Sequence, residues 1–210
     1  MDEDVPPEVG VGPHPQPWPD DPRYDADLLA HGDRRNVLDQ YRYWTVEAIV
    51  ADLDTRRHPF AVAIENWRHD LNIGTVVRTA NAFLAREVII VGRRRWNRRG
   101  AMVTDRYQHI RHVATIAELV DTSPDYTIVA IDNLPGALPL ESAALPEAAL
   151  LLFGQEGSGL SDEARAAART VYSIAQFGST RSINAGVAAG IAMHAWVRQH
   201  AGRPHTHDLG

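Results

Sequence analysis

The 210-residue sequence contains no cysteine and no lysine. Without cysteine, disulfides and thiolate metal sites are excluded. Without lysine, the phosphate loop that ends on that residue is excluded as well. All 21 basic residues are arginines, whose planar fork suits phosphate. No glycine run follows the G-x-G-x-x-G order of a dinucleotide fingerprint. No apolar run approaches the roughly 18 residues of a membrane span. The acidic start, Met1-Asp2-Glu3-Asp4, lacks the charged-then-apolar build of an export signal, so the expected location is cytoplasmic.

What is present is ordinary for a globular chain: 44% hydrophobic and 23% charged residues. The net charge of −6 is unevenly held. Residues 1–33 carry nine acids and one base, and the other 177 residues carry 20 bases and 18 acids. The acidity belongs to the N-terminal segment, and the remainder is compatible with an anionic partner.

Residues 1–22 hold seven prolines and read as a disordered, acidic, proline-rich tail. Residues 23–58 read as a small helical extension, with Val37, Leu38, Tyr41, Trp44, Ile49, Val50 and Leu53 partly at helical spacing. Five strands are expected at 60–64, 87–91, 126–131, 149–153 and 170–174. Helices are expected from Asn72 to Phe83, over 116–120, from an N-cap at Ser161, and from Ile183 to His200. Residues 93–112 read as basic and loop-rich, with room for a short helix. This alternation predicts an α/β fold with a mostly parallel sheet and helices on both faces. The main domain spans 59–201, and 202–210 is a flexible C-terminal tail.

Three segments place polar or glycine residues where a strand hands over to a helix, which is where an α/β sheet puts its ligand sites. The first runs from Asn72 to Arg78. It is either a helix cap followed by a surface arginine or a cleft mouth with an amide and a fixed cation. The second, Phe153-Gly154-Gln155-Glu156-Gly157-Ser158-Gly159-Leu160, is either a plain turn or a set of exposed amides around a lone carboxylate. In the third, Ser182-Ile183-Asn184 precedes an alanine- and glycine-rich helix. Ser182 has the chemistry of an N-cap, and the small residues suggest close packing at an interface.

In this order and content the three segments resemble the motifs of the SpoU (TrmH-like) RNA 2′-O-methyltransferases of the SPOUT class, over roughly residues 60–200. Two departures stand out. The family often shows Ile-Pro-Met where this chain has Ile174-Ala175-Gln176, and Ser-Leu-Asn-Val-Ser where it has Ser182-Ile183-Asn184-Ala185-Gly186.

The resemblance implies a C-terminal trefoil knot, S-adenosyl-L-methionine held in the knotted loops, an RNA substrate (tRNA or rRNA) and a homodimer. By motif match the cofactor-binding residues are Ile131, Asp132, Asn133, Phe153, Gly154, Gly157, Ile174, Gln176, Ile183 and Asn184. The resemblance makes Arg78 the central catalytic residue, with Asn72, Glu156, Ser182 and Asn184 orienting it, the ribose and the donor. A guanidinium stays protonated to about pH 12. The expected part of Arg78 is therefore to stabilise a developing alkoxide and grip a phosphate, while phosphate or water takes the proton.

Arg93, Arg94, Arg95, Trp96, Arg98 and Arg99 form a basic segment around one tryptophan. It suits RNA phosphates and a stacked base, or else it is a solvated face. His109 with His112, and His205 with His207, have no third ligand at a telling spacing, so no metal is expected. Glu65, Asn66 and Asp70 stand near the first motif with nothing to single them out. Two other readings remain: a non-catalytic RNA-binding relative, and a nucleotide-cofactor oxidoreductase. The five polar residues argue against the former, and the missing glycine fingerprint against the latter.

Overall fold

The computed structural model describes residues 10–66, 72–155 and 157–202. It divides into two compact units, one reaching to Thr55 and one spanning Arg56–Arg203.

In the first unit, helix α1 (Ala26–His31) starts at Asp25, whose carboxylate accepts from the amides of Asp27 and Leu28. Helix α2 (Val46–Asp54) starts at Thr45, whose side chain accepts from the Ala48 amide. Such caps satisfy amides that have no partner inside the helix. Leu29, Tyr41, Ile49 and Leu53 are the unit's buried hydrophobic residues. The buried carboxylate of Asp33 accepts from the Arg35 amide, the Arg35 guanidinium and the Tyr43 amide.

The sequence reading leaves everything to residue 22 disordered, and from Gly10 onward the structure differs. Val11 bridges Asp33, the His14 amide donates to Leu29 O at 2.9 Å, and Tyr43 Oη donates to Gly12 O at 2.6 Å. Backbone pairing and one phenol hold a stretch that has little apolar content of its own.

The second unit is a seven-stranded, wholly parallel sheet in the order β3-β2-β1-β6-β4-β7-β5. The strands are β1 (Ala61–Asn66), β2 (Val88–Gly92), β3 (Ile110–Val113), β4 (Thr127–Ile131), β5 (Leu138–Pro139), β6 (Ala149–Phe153) and β7 (Thr170–Ser173). Alternating residues of the central strands feed two cores. Val62, Ile64, Leu151 and Phe153 face helices α3 (Ile73–Ala82) and α6 (Ala185–His200). Ala61, Ala63, Leu150 and Leu152 face α4 (Ile116–Asp121) and α5 (Asp162–Ala167). Both faces are covered, as a parallel sheet requires.

Two strands escape the sequence reading. β3 overlaps the end of the segment taken as a basic loop; as an edge strand it is mostly half-buried and carries Arg111 and His112 in its middle. β5 is two exposed residues, one of them proline, a residue that edge strands tolerate. The N-cap at Ser161 is where the sequence places it.

Because every strand is parallel, all carboxyl ends lie along one edge. β6 and β7 are late in the chain yet sit on either side of β4. Their outgoing loops are thereby brought beside the loop that leaves β4.

Candidate active site

Three loops from this edge clasp one another. After β4, Asp132 accepts through Oδ2 from the Leu160 amide at 3.0 Å, and Asn133 Nδ2 donates to Arg181 O at 2.8 Å. The turn after β6 closes through Gly159 N to Gln155 O at 3.1 Å and Gln155 Nε2 to Ser158 Oγ at 2.8 Å. A Cβ on Gly154 would overlap the backbone of Gly159 and Leu160, so this position is closed to any side chain. After β7, the Ala175 amide donates to Glu141 Oε1 at 2.9 Å.

The loops enclose a cavity of about 430 Å³, within the usual range for small-molecule sites. Ile131, Asp132 and Asn133 line it from the first loop, Phe153, Gly154 and Gly157 from the second, and Ile174, Gln176, Ser182, Ile183 and Asn184 from the third. Gln155, which lies within the second of the loops matched to the donor, completes the wall with Ser158, Gly159, Leu134, Ala185 and Ala188, which the motif match does not assign to the cofactor. Among the described residues the buried side-chain oxygens Gln155 Oε1 and Gln176 Oε1 find no hydrogen-bond partner. Such acceptors are uncommon in folded proteins, and both belong to residues of this wall.

The motif side chains divide. Asn184, not Ser182, caps α6: its Oδ1 accepts from the amides of Gly186 and Val187. Its Nδ2 donates to Asn72 Oδ1 at 2.9 Å. Asn72 precedes α3, but its side chain does not cap that helix. The two amides tie the starts of α3 and α6 together. Arg78 is exposed on α3 and is not part of the cavity wall. Glu156 lies outside the described residues.

The small residues of α6 have an explanation within the chain. A Cβ on Gly186 would come within 3.1 Å of Thr75 Cγ2, and one on Gly190 within 3.7 Å of Thr79 Cγ2. The close approach is to α3, so the small residues give no argument for a second subunit. Val187 and Ile191 of α6 are exposed.

The basic segment follows β2 on the same edge. Buried Asn66, at the end of β1, donates from Nδ2 to Arg93 O at 2.7 Å and Arg95 O at 3.0 Å. A Cβ on Gly74 would stand 2.7 Å from the Ala101 amide, and one on Gly100 2.9 Å from the Thr75 amide. The segment therefore docks backbone to backbone on the start of α3.

Arg93, Arg94, Arg95, Arg98 and Arg99 are exposed. Trp96 is not. It is 8% exposed and packs in the α3/α6 core, with the Arg98 guanidinium 5.6 Å from its ring centroid. The expectation that Trp96 stacks on a base is corrected here: a core side chain cannot offer its face to RNA.

Other polar groups near the site take structural parts. Glu65 is fully buried and accepts from the Ser161 amide at 2.9 Å, which pins the end of the glycine turn. Burial, then the charges of Arg94 and Arg98, pushes the His112 imidazole below its ordinary value. Among the described residues no cluster of three metal-ligating side chains occurs, and no helix is long and apolar enough to cross a membrane. His205, His207 and Asp70 lie outside the described residues.

Residues 59–194, which include the cavity wall and the basic segment, match the SpoU rRNA methylase family. The chain belongs to that family. An uncharacterized tRNA/rRNA methyltransferase of Mycolicibacterium vanbaalenii is 28% identical over 201 residues, covering 85% of this chain. The chain spans 60% of the length of that relative. The SpoU methyltransferase AviRb of Streptomyces viridochromogenes, crystallised in complex with AdoMet, superposes with a TM-score of 0.63 at 26% identity, over 72% of this chain and 62% of that one. A structure described as giving insight into the 2-OH methylation of C/U34 on tRNA superposes with a TM-score of 0.61 at 26% identity, over 70% of this chain and 99% of that one.

Proposed function

We propose that this protein methylates a ribose 2′-hydroxyl in structured RNA, tRNA or rRNA, with S-adenosyl-L-methionine as donor. The observation that carries the reading is the single cavity made by the loops after β4, β6 and β7, joined at its third loop to α3 by the Asn72–Asn184 hydrogen bond. Family membership and the AdoMet complex of AviRb support it.

The cavity fits the donor on two counts. Its size suits a nucleoside-bearing ligand, and its wall includes two glutamines with buried, unsatisfied acceptor oxygens that the amino groups of such a ligand would satisfy. When bound, the donor supplies a methyl group made electrophilic by its sulfonium. Residues of the three loops, Asp132, Gly154, Gln155, Gln176 and Asn184 among them, would hold and orient it.

On this reading the protein's task is alignment and easing of proton loss. Arg78 is the cation for the developing alkoxide and a neighbouring phosphate, and phosphate or water accepts the proton. Arg78 stands outside the cavity wall of its own chain, so the reading pairs two chains and places the site near their boundary. The same reading threads the C-terminal half as a trefoil knot, supported by the insertion of β6 and β7 beside β4. The exposed arginines from Arg93 to Arg99 would track the RNA backbone.

Calorimetric titration with S-adenosylmethionine tests the donor site. The expected result is saturable heat at one site per chain. A chain that gives no heat with the donor is not this enzyme. Mapping ribose methylation in cells with and without the protein then identifies the RNA.

A further inference from the structure

Phe177 is 98% exposed, the most solvent-facing large apolar side chain among the described residues. Its place in the third loop is specific. Gln176 before it lines the cavity, and Ser182, five residues on, lines it again. The stretch between leaves the wall and returns to it. Both ends are fixed, at the Ala175 amide by Glu141 and at the Arg181 carbonyl by Asn133. The ring is thus carried on a short tethered loop beside the cavity.

Its surroundings in the loop are Gly178, Ser179, Thr180, Arg181 and Ser182, all exposed. The loop itself adds no second large apolar side chain to Phe177, unlike the apolar centre that protein interfaces bury. An aromatic face with an arginine close by in sequence is what unstacked nucleobases are held by. The tryptophan of the basic segment is unavailable for that task because it is buried.

The geometry points to Phe177 as a stacking platform for an unpaired base of the RNA, at or next to the nucleotide whose ribose enters the cavity, with Arg181 meeting an adjoining phosphate. This rests on the RNA methyltransferase reading and adds to it how the target nucleotide is recognised.

Affinity for bulk tRNA and for ribosomal RNA is measured for the wild type and for Phe177→Ala, Phe177→Leu and Phe177→Trp. Binding of S-adenosylhomocysteine by calorimetry and sedimentation of the free protein accompany each. Stacking predicts that Ala and Leu weaken binding of the preferred RNA by about 5- to 50-fold. Trp should retain affinity, and S-adenosylhomocysteine binding should stay unchanged throughout. RNA affinity unchanged in Phe177→Ala overturns the inference. So does a change of sedimentation in that variant, which would assign the ring to contact between copies. Leucine restoring wild-type affinity also overturns it, since bulk rather than a ring face would then suffice. A wild type that binds S-adenosylhomocysteine but neither RNA removes the inference and leaves the donor site standing. A wild type that binds none of the three overturns the underlying reading as well.

Discussion

Asn184 donates from Nδ2 to Asn72 Oδ1 at 2.9 Å while its own Oδ1 accepts from two amides of the α6 first turn. One side chain therefore caps a helix and fastens it to the start of another. The two roles separate by substitution. Asn184→Asp keeps the capping oxygen and loses the donor, whereas Asn184→Ala loses both. The Ala variant should lose about 1–2 kcal/mol from the cap alone, with a further loss from the broken amide pair. The Asp variant should melt closer to wild type and yet lose activity. Thermal melts and turnover on the same samples decide it; an Asp variant with wild-type turnover would show the amide pair to be idle.

The two glycines of α6 that abut α3 should respond differently to alanine. Gly190→Ala meets Thr79 at an ordinary contact distance of 3.7 Å, so it should gain up to about 1 kcal/mol of helix stability. Gly186→Ala would press on Thr75 at 3.1 Å and on the capping Asn184 Oδ1 at 3.2 Å. It should gain less or lose, at a cost of about 1–3 kcal/mol for overpacking. Denaturant midpoints of the two variants would give the order, and a reversed order would contradict the α3–α6 contact.

Charge reversal at exposed Arg94 and Arg95 should weaken RNA binding and flatten its dependence on salt. Asn66→Ala should act on the same observable from beneath, because it frees the Arg93 and Arg95 carbonyls from their tether. It should raise KM for RNA more than it alters donor affinity. A salt slope equal to wild type in the reversed variant would remove the segment from the RNA surface.

The N-terminal unit should be acid-sensitive through Asp33. Burial alone would raise this carboxyl. Hydrogen bonds from Arg35 and Tyr43, with the Arg35 charge, outweigh burial and hold it below its ordinary value. A carboxyl with a depressed value stabilises the fold above the unfolded value of about 3.9, and that contribution is lost as pH falls through the lower folded value. Asp33→Asn should therefore destabilise at pH 7 and reduce the loss on acidification. Melting curves at pH 7 and in mild acid would test it, and parallel pH profiles for the two proteins would contradict it.

The sequence makes the sheet core legible because the central strands, such as Ala149-Leu150-Leu151-Leu152-Phe153, are buried on both faces and read as continuous apolar runs. Edge strands carry no such signal, so β3 and β5 are hidden by Arg111, His112 and Pro139. Helix starts are legible where a single capping residue precedes the helix, as at Ser161. They are ambiguous where two compete: Ser182 and Asn184 both have capping chemistry, and in the fold Asn184 is the cap, with its amide also bonded to Asn72 at the start of α3. Trp96 misleads because local composition does not say which neighbour a side chain meets, whereas the small residues of α6 do mark a close approach, and only folding names α3 as its partner. Asn66 is a polar residue closing a buried strand. Its task, holding carbonyls 27 and 29 residues onward, is visible only after folding.

Replacing the guanidinium at position 78 with an ammonium tests the catalytic assignment. Arg78→Lys keeps the charge and loses the fork. Turnover should fall by about tenfold or more, the equivalent of one charge-assisted hydrogen bond, while donor binding stays intact. Near-native turnover with unchanged RNA affinity would remove fork geometry from the account.

The most direct measurement of the central claim is mass spectrometry of nucleosides from RNA incubated with the protein and S-adenosylmethionine carrying a deuterated methyl group. The account predicts the label on the ribose 2′-oxygen of a defined nucleotide, appearing about tenfold or more slowly in Arg78→Lys. Label on a base, or a donor that binds with no label reaching any RNA, would contradict it.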